Sequence, residues 1–103
     1  MYLVQVKYFD IKSNNFEQRP IFLTVNASMA LGFAQTIPFN VCGIIPSLFS
    51  VHIYKLDSNY LYTANHEFTA ESSIVFEKRW DHNKNNWEEV YLNLKFKKEA
   101  KDN

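Results

Sequence analysis

Tyr2, Val4, Val6 and Tyr8 alternate with Leu3, Gln5, Lys7 and Phe9, the two-residue period of a β-strand with one wetter face. Lys12, Ser13, Asn14 and Asn15 supply turn chemistry, after which Ile21, Leu23 and Val25 alternate with Phe22 and Thr24 in a β-branched and aromatic run. A first hairpin follows. Asn26 or Ser28 can accept a hydrogen bond from the free amides that open a helix, and Met29, Phe33 and Ile37 then share one face at i, i+4 and i+8 before Pro38 stops it. Gly32 inside this helix costs about 1 kcal/mol relative to Ala, so packing has to hold the helix in place. Residues 40–50 carry Gly43 and Pro46 and read as an irregular apolar connection.

Strand patterning returns at residues 51–56 and 60–64, separated by Asp57, Ser58 and Asn59, which predicts a second hairpin. Residues 74–80 and 87–97 form the clearest hairpin, joined by the polar turn-formers between Trp80 and Trp87. Placing Trp80 opposite Trp87 also sets Lys78 against Glu89 and Arg79 against Glu88, and a one-residue slip would lose all three matches. In this register Val90, Leu92, Leu94 and Phe96 point into the core, and residues 98–103 form a frayed charged tail. The expected architecture is a single α+β domain over residues 1–97. It is a mainly antiparallel sheet of about six strands in three hairpins, with one short helix after the second strand.

A chain of 103 residues with 47% hydrophobic and 17% aromatic content, only 2 Gly and 3 Pro, can offset its ordering entropy by burial. Its 11 basic and 11 acidic residues create no global field that would draw it to nucleic acid or an anionic membrane. Their distribution is uneven: residues 20–54 contain no Lys, Arg, Asp or Glu. Asn26, Gln35, Pro38, Asn40 and Pro46 interrupt that stretch, so it lacks the ~20 apolar residues of a membrane span. Cys42 is alone and the first residues lack the basic start and apolar run of a signal peptide, which points to a cytoplasmic protein without disulfides.

Catalytic chemistry has little to work with. Cys42 with His52 or His66 lacks any local signature of a thiolate pair, and its apolar surroundings favour an inert thiol. The pairs His66-Glu67 and Asp81-His82 match no metal-ligand spacing, and Gly32 and Gly43 form no phosphate loop. The reading is therefore a protein without enzyme activity, metal or cofactor. The residues with most binding content are Phe76, Trp80, Trp87 and Tyr91, which fall opposite the aliphatic row. Lys78, Lys95 and Lys97 share their face, and Arg79 and Lys84 lie near the hairpin tip.

Such a strip fits a protein partner, for which Trp, Tyr and Arg are the usual anchors. It also fits single-stranded DNA or RNA, whose bases stack on aromatics while cations follow the phosphates. A third reading makes it core, covered by a helix or the first hairpin. Between the two binding readings the protein partner is favoured, because Glu77, Glu88 and Glu89 would repel phosphate. The uncharged stretch admits a homodimer through Phe39, Val41, Ile44, Ile45, Leu48 and Phe49.

Asp10, Lys12, Phe16, Pro20, Phe22, Asn26, Ala30, Phe33, Pro46, Phe49 and Asp57 occur in an order that resembles the small non-structural protein of gokushovirus-type microviruses, over residues 1–60. Ser47 and Leu48 stand where that family has acidic residues. The resemblance implies an accessory role in phage DNA replication or packaging, with DNA binding proposed for the family. The abundance of Asn, Lys, Phe, Tyr and Ile, as AT-rich codons supply, agrees with a viral, phage or mobile-element source. The combined expectation is a small accessory protein that binds a host or phage protein through the aromatic hairpin face.

Overall fold

The computed structural model describes residues 1–36, 48–56 and 73–101. Its elements are β1 (Tyr2–Asp10), β2 (Asn15–Thr24), α1 (Ala27–Thr36), β3 (Phe49–Lys55), β4 (Ser73–Asp81), β5 (Asn86–Tyr91) and α2 (Leu94–Lys101). The strands form one antiparallel sheet in the order β2-β1-β3-β4-β5. The α+β class and the antiparallel sheet match expectation, with five strands and two helices in place of six strands and one helix. The strand expected at residues 60–64 lies outside the described residues.

Two turns built alike define the ends of the sheet. In each, an Asp closes the hairpin and an Asn four residues later takes a left-handed backbone, Asn14 at φ 57° and Asn85 at φ 51°. Asp10 Oδ1 accepts from the Lys12 amide at 2.9 Å, and Asp81 Oδ1 accepts from the Asn83 amide at 2.9 Å. Short polar side chains that tolerate positive φ and bond their own backbone suit these corners. The second turn delivers the register expected from the charges: Trp80 faces Trp87, Lys78 faces Glu89 and Arg79 faces Glu88.

Both helices pack on one face of the sheet. Tyr2, Val4 and Val6 of β1, Phe49, Val51 and Ile53 of β3 and Phe76 of β4 point into this core, with Phe22, Trp87 and Tyr91 at its margins. A bulge opposite Ile53 and Tyr54 adds Val75 to the same core. The sidedness of the last hairpin therefore reverses the expectation. Its aromatic row faces inward and Val90 lies on the other face, because aromatic side chains bury far more area than aliphatic ones.

The last strand ends at Tyr91, where residues 87–97 had suggested a longer one. Asn93 Oδ1 accepts from the Phe96 amide at 3.0 Å and its carbonyl accepts from the Lys97 amide at 3.1 Å, so Asn93 is the N-cap of α2. Phe96 and Ala100, four apart, are the buried residues of this helix. Leu92 and Leu94, expected inside, are exposed. The helix also continues through Lys101, where a frayed tail had been expected, with Lys98 and Lys101 favourably placed at its negative end.

Helix α1 shows the second reversal. Asn26 Oδ1 caps it by accepting from the Met29 amide at 3.1 Å, as the sequence implied. Its buried residues, however, are Ala27, Ala30, Leu31 and Ala34. Met29 and Phe33, expected to share the packing face, are 55% and 37% exposed. Small side chains let α1 lie close to the sheet and to α2, and that leaves Met29 and Phe33 outside.

Candidate functional site

Three surfaces of the fold could carry chemistry: the inner aromatic row, the outer sheet face, and the edge formed by β2 and α1. On the inner row Phe76 is fully buried and meets Tyr91 edge-on at 5.2 Å between centroids. Trp80 and Trp87 meet edge-on at 5.3 Å, and Phe49 meets Trp87 at 6.1 Å. Trp80 and Trp87 are half-buried and sit toward the hairpin tip.

Lys78 is only 8% exposed. Its Nζ donates to the Gln35 carbonyl at 3.0 Å and lies 6.0 Å from the Trp87 ring. It thus binds a carbonyl of the last described turn of α1, where a cation is favourable. Burial pushes its pKa down while Glu89 pushes it back up. Glu89 in turn accepts from Gln35 Nε2 at 2.8 Å.

The sequence-named residues thus separate. Phe76 and Lys78 are interior and present nothing to a partner. Arg79 is on the outer face, where its guanidinium lies 3.4 Å from Glu88 and 3.9 Å from Glu77. Lys84 is exposed at the hairpin tip. Lys95 and Lys97 belong to α2 rather than to the strand, both exposed. Lys97 and Lys101 Nζ stand 5.2 Å and 4.8 Å from the Tyr91 ring.

The outer face carries a polar row. Gln5, His52 and Glu77 are opposite one another across β1, β3 and β4. His52 Nε2 is 3.7 Å from Glu77 Oε1. Gln5 is almost wholly buried; its Nε2 donates to Gln18 Oε1 at 2.7 Å, while its own Oε1 has no hydrogen bond. That orphan oxygen costs about 1–3 kcal/mol. Burial holds the His52 pKa below its ordinary value of 6.5, and Lys7 acts in the same direction, whereas Glu77 opposes them. The imidazole is neutral at pH 7. Among the described residues no group of three or more His, Cys, Asp or Glu side chains is placed to hold a metal ion. Cys42 and His66 lie outside the described residues.

A pH dependence follows. The unfolded chain protonates His52 near its ordinary value, whereas the folded chain resists until lower pH, so stability is full above about pH 6.5 and falls as pH drops through it. The thermal midpoint of the wild-type chain is expected to decline below that pH, and His52→Gln to remove part of the decline. An identical pH profile in the variant would contradict the assignment.

The edge surface was missed by sequence reasoning. Phe16, Ile21, Leu23 and Val25 along β2 and its end, with Met29 and Phe33 of α1, are all exposed. Phe33 stacks on Phe22 at 4.5 Å and 17°, which ties α1 to the helix-bearing side of β2, whereas Phe16 and Leu23, opposite Phe9 and Leu3, lie on the other face of the sheet. Beside it, Leu3, Pro20, Ile21, Phe22 and Leu23 line a shallow concavity of about 310 Å³. The available signal was Ala27, Ala30 and Ala34, which offer a second helical stripe competing with Met29, Phe33 and Ile37. Pro20, on this edge strand, cannot donate a ladder hydrogen bond and hinders strand addition there, so side chains dominate what the edge can offer.

No helix among the described residues is long and apolar enough to cross a membrane. No family model matches the chain, and neither the curated proteins nor the solved structures include a match.

Proposed function

We propose that this chain is a non-enzymatic accessory protein that works by binding another polypeptide through α1 and the adjoining part of β2. The observation that carries the reading is that α1 buries its alanines and turns Met29 and Phe33 outward. Side chains of that size exposed together on one helix, beside an edge strand that also exposes Ile21, Leu23 and Val25, mark an interaction surface rather than ordinary scattered exposure. The Trp80–Trp87 pair is a lesser part of this account, since Trp87 also packs against the core. The resemblance to a phage accessory protein agrees with an action exerted by occupying a partner's surface.

A second reading rests on α2. Lys97 and Lys101 flank the Tyr91 ring, and Lys95 and Lys98 lie on the same helix. Cations around an aromatic ring suit single-stranded nucleic acid, with strong salt dependence.

The test is capture of a partner by wild-type chain and by Met29→Glu. Residue 29 is the third position of α1 after the Asn26 cap, where a carboxylate favours the helix, so the variant folds with its thermal midpoint retained. Capture is expected to be lost. Capture that survives Met29→Glu but fails on Trp80→Ala would return the contact to the hairpin. Salt-sensitive oligonucleotide binding with no protein captured would favour α2.

A further inference from the structure

The two edges of the sheet differ. Pro20 and the bulge beside it interrupt β2, whereas β5 has neither proline nor bulge. The ladder fixes where its backbone groups point. The Leu92 amide donates to the Val75 carbonyl at 3.0 Å, so by antiparallel alternation Val90 and Glu88 also bond to β4, opposite Glu77 and Arg79. Glu89 and Tyr91 fall between them and turn both N–H and C=O away from the sheet. Among the described residues no strand pairs with that side of β5, and Glu89 is exposed. Toward the hairpin tip the Trp87 amide donates to Asn86 Oδ1 at 2.8 Å, which ends the open stretch.

We propose that β5 pairs with β5 of a second copy of this chain, antiparallel about a two-fold axis that runs perpendicular to the sheet and passes beside Val90. The contact is at the far edge from α1 and β2 and does not rest on the reading of that surface. In this register Glu89 of each chain faces Tyr91 of the other, and every one of the outward N–H and C=O groups of these residues finds its partner. A two-fold contact has to be complementary to itself. Moving the axis to Glu89 would set two carboxylates against each other, and moving it to Tyr91 would leave the groups of Glu89 unmatched.

The charges select the same register. Glu89 and Tyr91 project to the helix-bearing face, where Lys97 and Lys101 Nζ stand 5.2 Å and 4.8 Å from the Tyr91 ring. Both lysines are exposed, and neither forms an ion pair among the described residues. A residue directly opposite Tyr91 has its Cβ about 5 Å away, so Glu89 of the second copy arrives beside two unmatched ammonium groups. The sequence Glu89-Val90-Tyr91 thus supplies both the carboxylate that the lysines lack and the neutral residue that Glu89 tolerates opposite itself. On the outer face each Val90 meets its counterpart, a β-branched pair in the closely spaced position without hydrogen bonds. Charged residues ordinarily keep edge strands apart; centring on Val90 turns that repulsion into attraction.

The experiment compares Val90→Cys with Glu88→Cys in the full chain, each combined with Cys42→Ser, and follows intermolecular disulfide formation under mild oxidation. Facing residues at position 90 have the spacing a disulfide needs, whereas those at position 88 lie roughly 13 Å apart along the strand. Val90→Cys is expected to cross-link at least about tenfold faster. Equal rates, or faster linkage through position 88, would overturn the proposal. Sedimentation equilibrium reads the unlinked contact: wild type is expected to approach twice 12.2 kDa as concentration rises, and Glu89→Pro to stay at the monomer mass. Glu89→Pro removes an outward N–H and no ladder bond, so circular dichroism is expected to show its fold retained. Lys97→Gln combined with Lys101→Gln leaves the strand intact and is expected to weaken association at least about tenfold. A wild type that stays monomeric to about millimolar concentration, or a dimer indifferent to these variants, would overturn the proposal.

Discussion

Phe76→Ala is expected to remove about 3–5 kcal/mol of stability, the usual cost of truncating a fully buried phenylalanine. A domain of this size has only about 5–15 kcal/mol in total, so the variant should be largely unfolded at modest urea or a slightly raised temperature. The cause lies in its position. Phe76 is opposite Ile53 on one side and Tyr91 on the other, at the middle of the face that both helices cover. Its removal leaves a cavity bounded by Ile53 and Tyr91, neither of which can collapse into it without breaking ladder bonds.

Trp80, two residues on along the same row, gives the contrast. It is half-exposed, and its edge-on contact with Trp87 is worth roughly 0.5–1.5 kcal/mol beyond area. Trp80→Ala is therefore expected to cost much less than Phe76→Ala in urea denaturation. Equal losses would mean that the row is not graded from interior to tip. A negligible loss for Phe76→Ala would mean that it faces solvent after all.

The last hairpin was legible in the sequence because three independent cross-strand matches, one aromatic and two ionic, all require one register. β1 was legible from strict alternation. Sidedness was not legible in the same hairpin, since aromatic and aliphatic rows are both apolar and period two assigns residues to faces without saying which face is covered. Leu92, Leu94 and Phe96 continued that period by coincidence. The Asn93 cap, and Phe96 and Ala100 four apart, are the opposing signal.

In α1 the start was readable from Asn26, but the packing face was not. Large apolar residues at i, i+4 ordinarily mark the buried stripe. Here the sheet lies close to the helix and leaves room only for Ala27, Ala30 and Ala34, with Leu31 the one large side chain between them. Two of the nine named binding residues, Phe76 and Lys78, lie in the interior for the same reason. Phe76 and Lys78 were read from their row alone, without the helices that cover it. The polar row of Gln5, His52 and Glu77 was invisible beforehand because its members come from three strands joined by long-range pairing.

The outward presentation of Met29 is the claim on which the proposed contact depends, and the chain carries its own reference. Met29 and Met1 are 55% and 52% exposed. Thioether oxidation follows accessibility, so in dilute protein, where association is negligible, peroxide should oxidise the two at rates within about threefold of each other. Peptide mapping of the oxidised chain reads both positions at once. Comparable rates at dilution support the account; Met29 protected at dilution while Met1 is consumed would place it in the core and contradict the account.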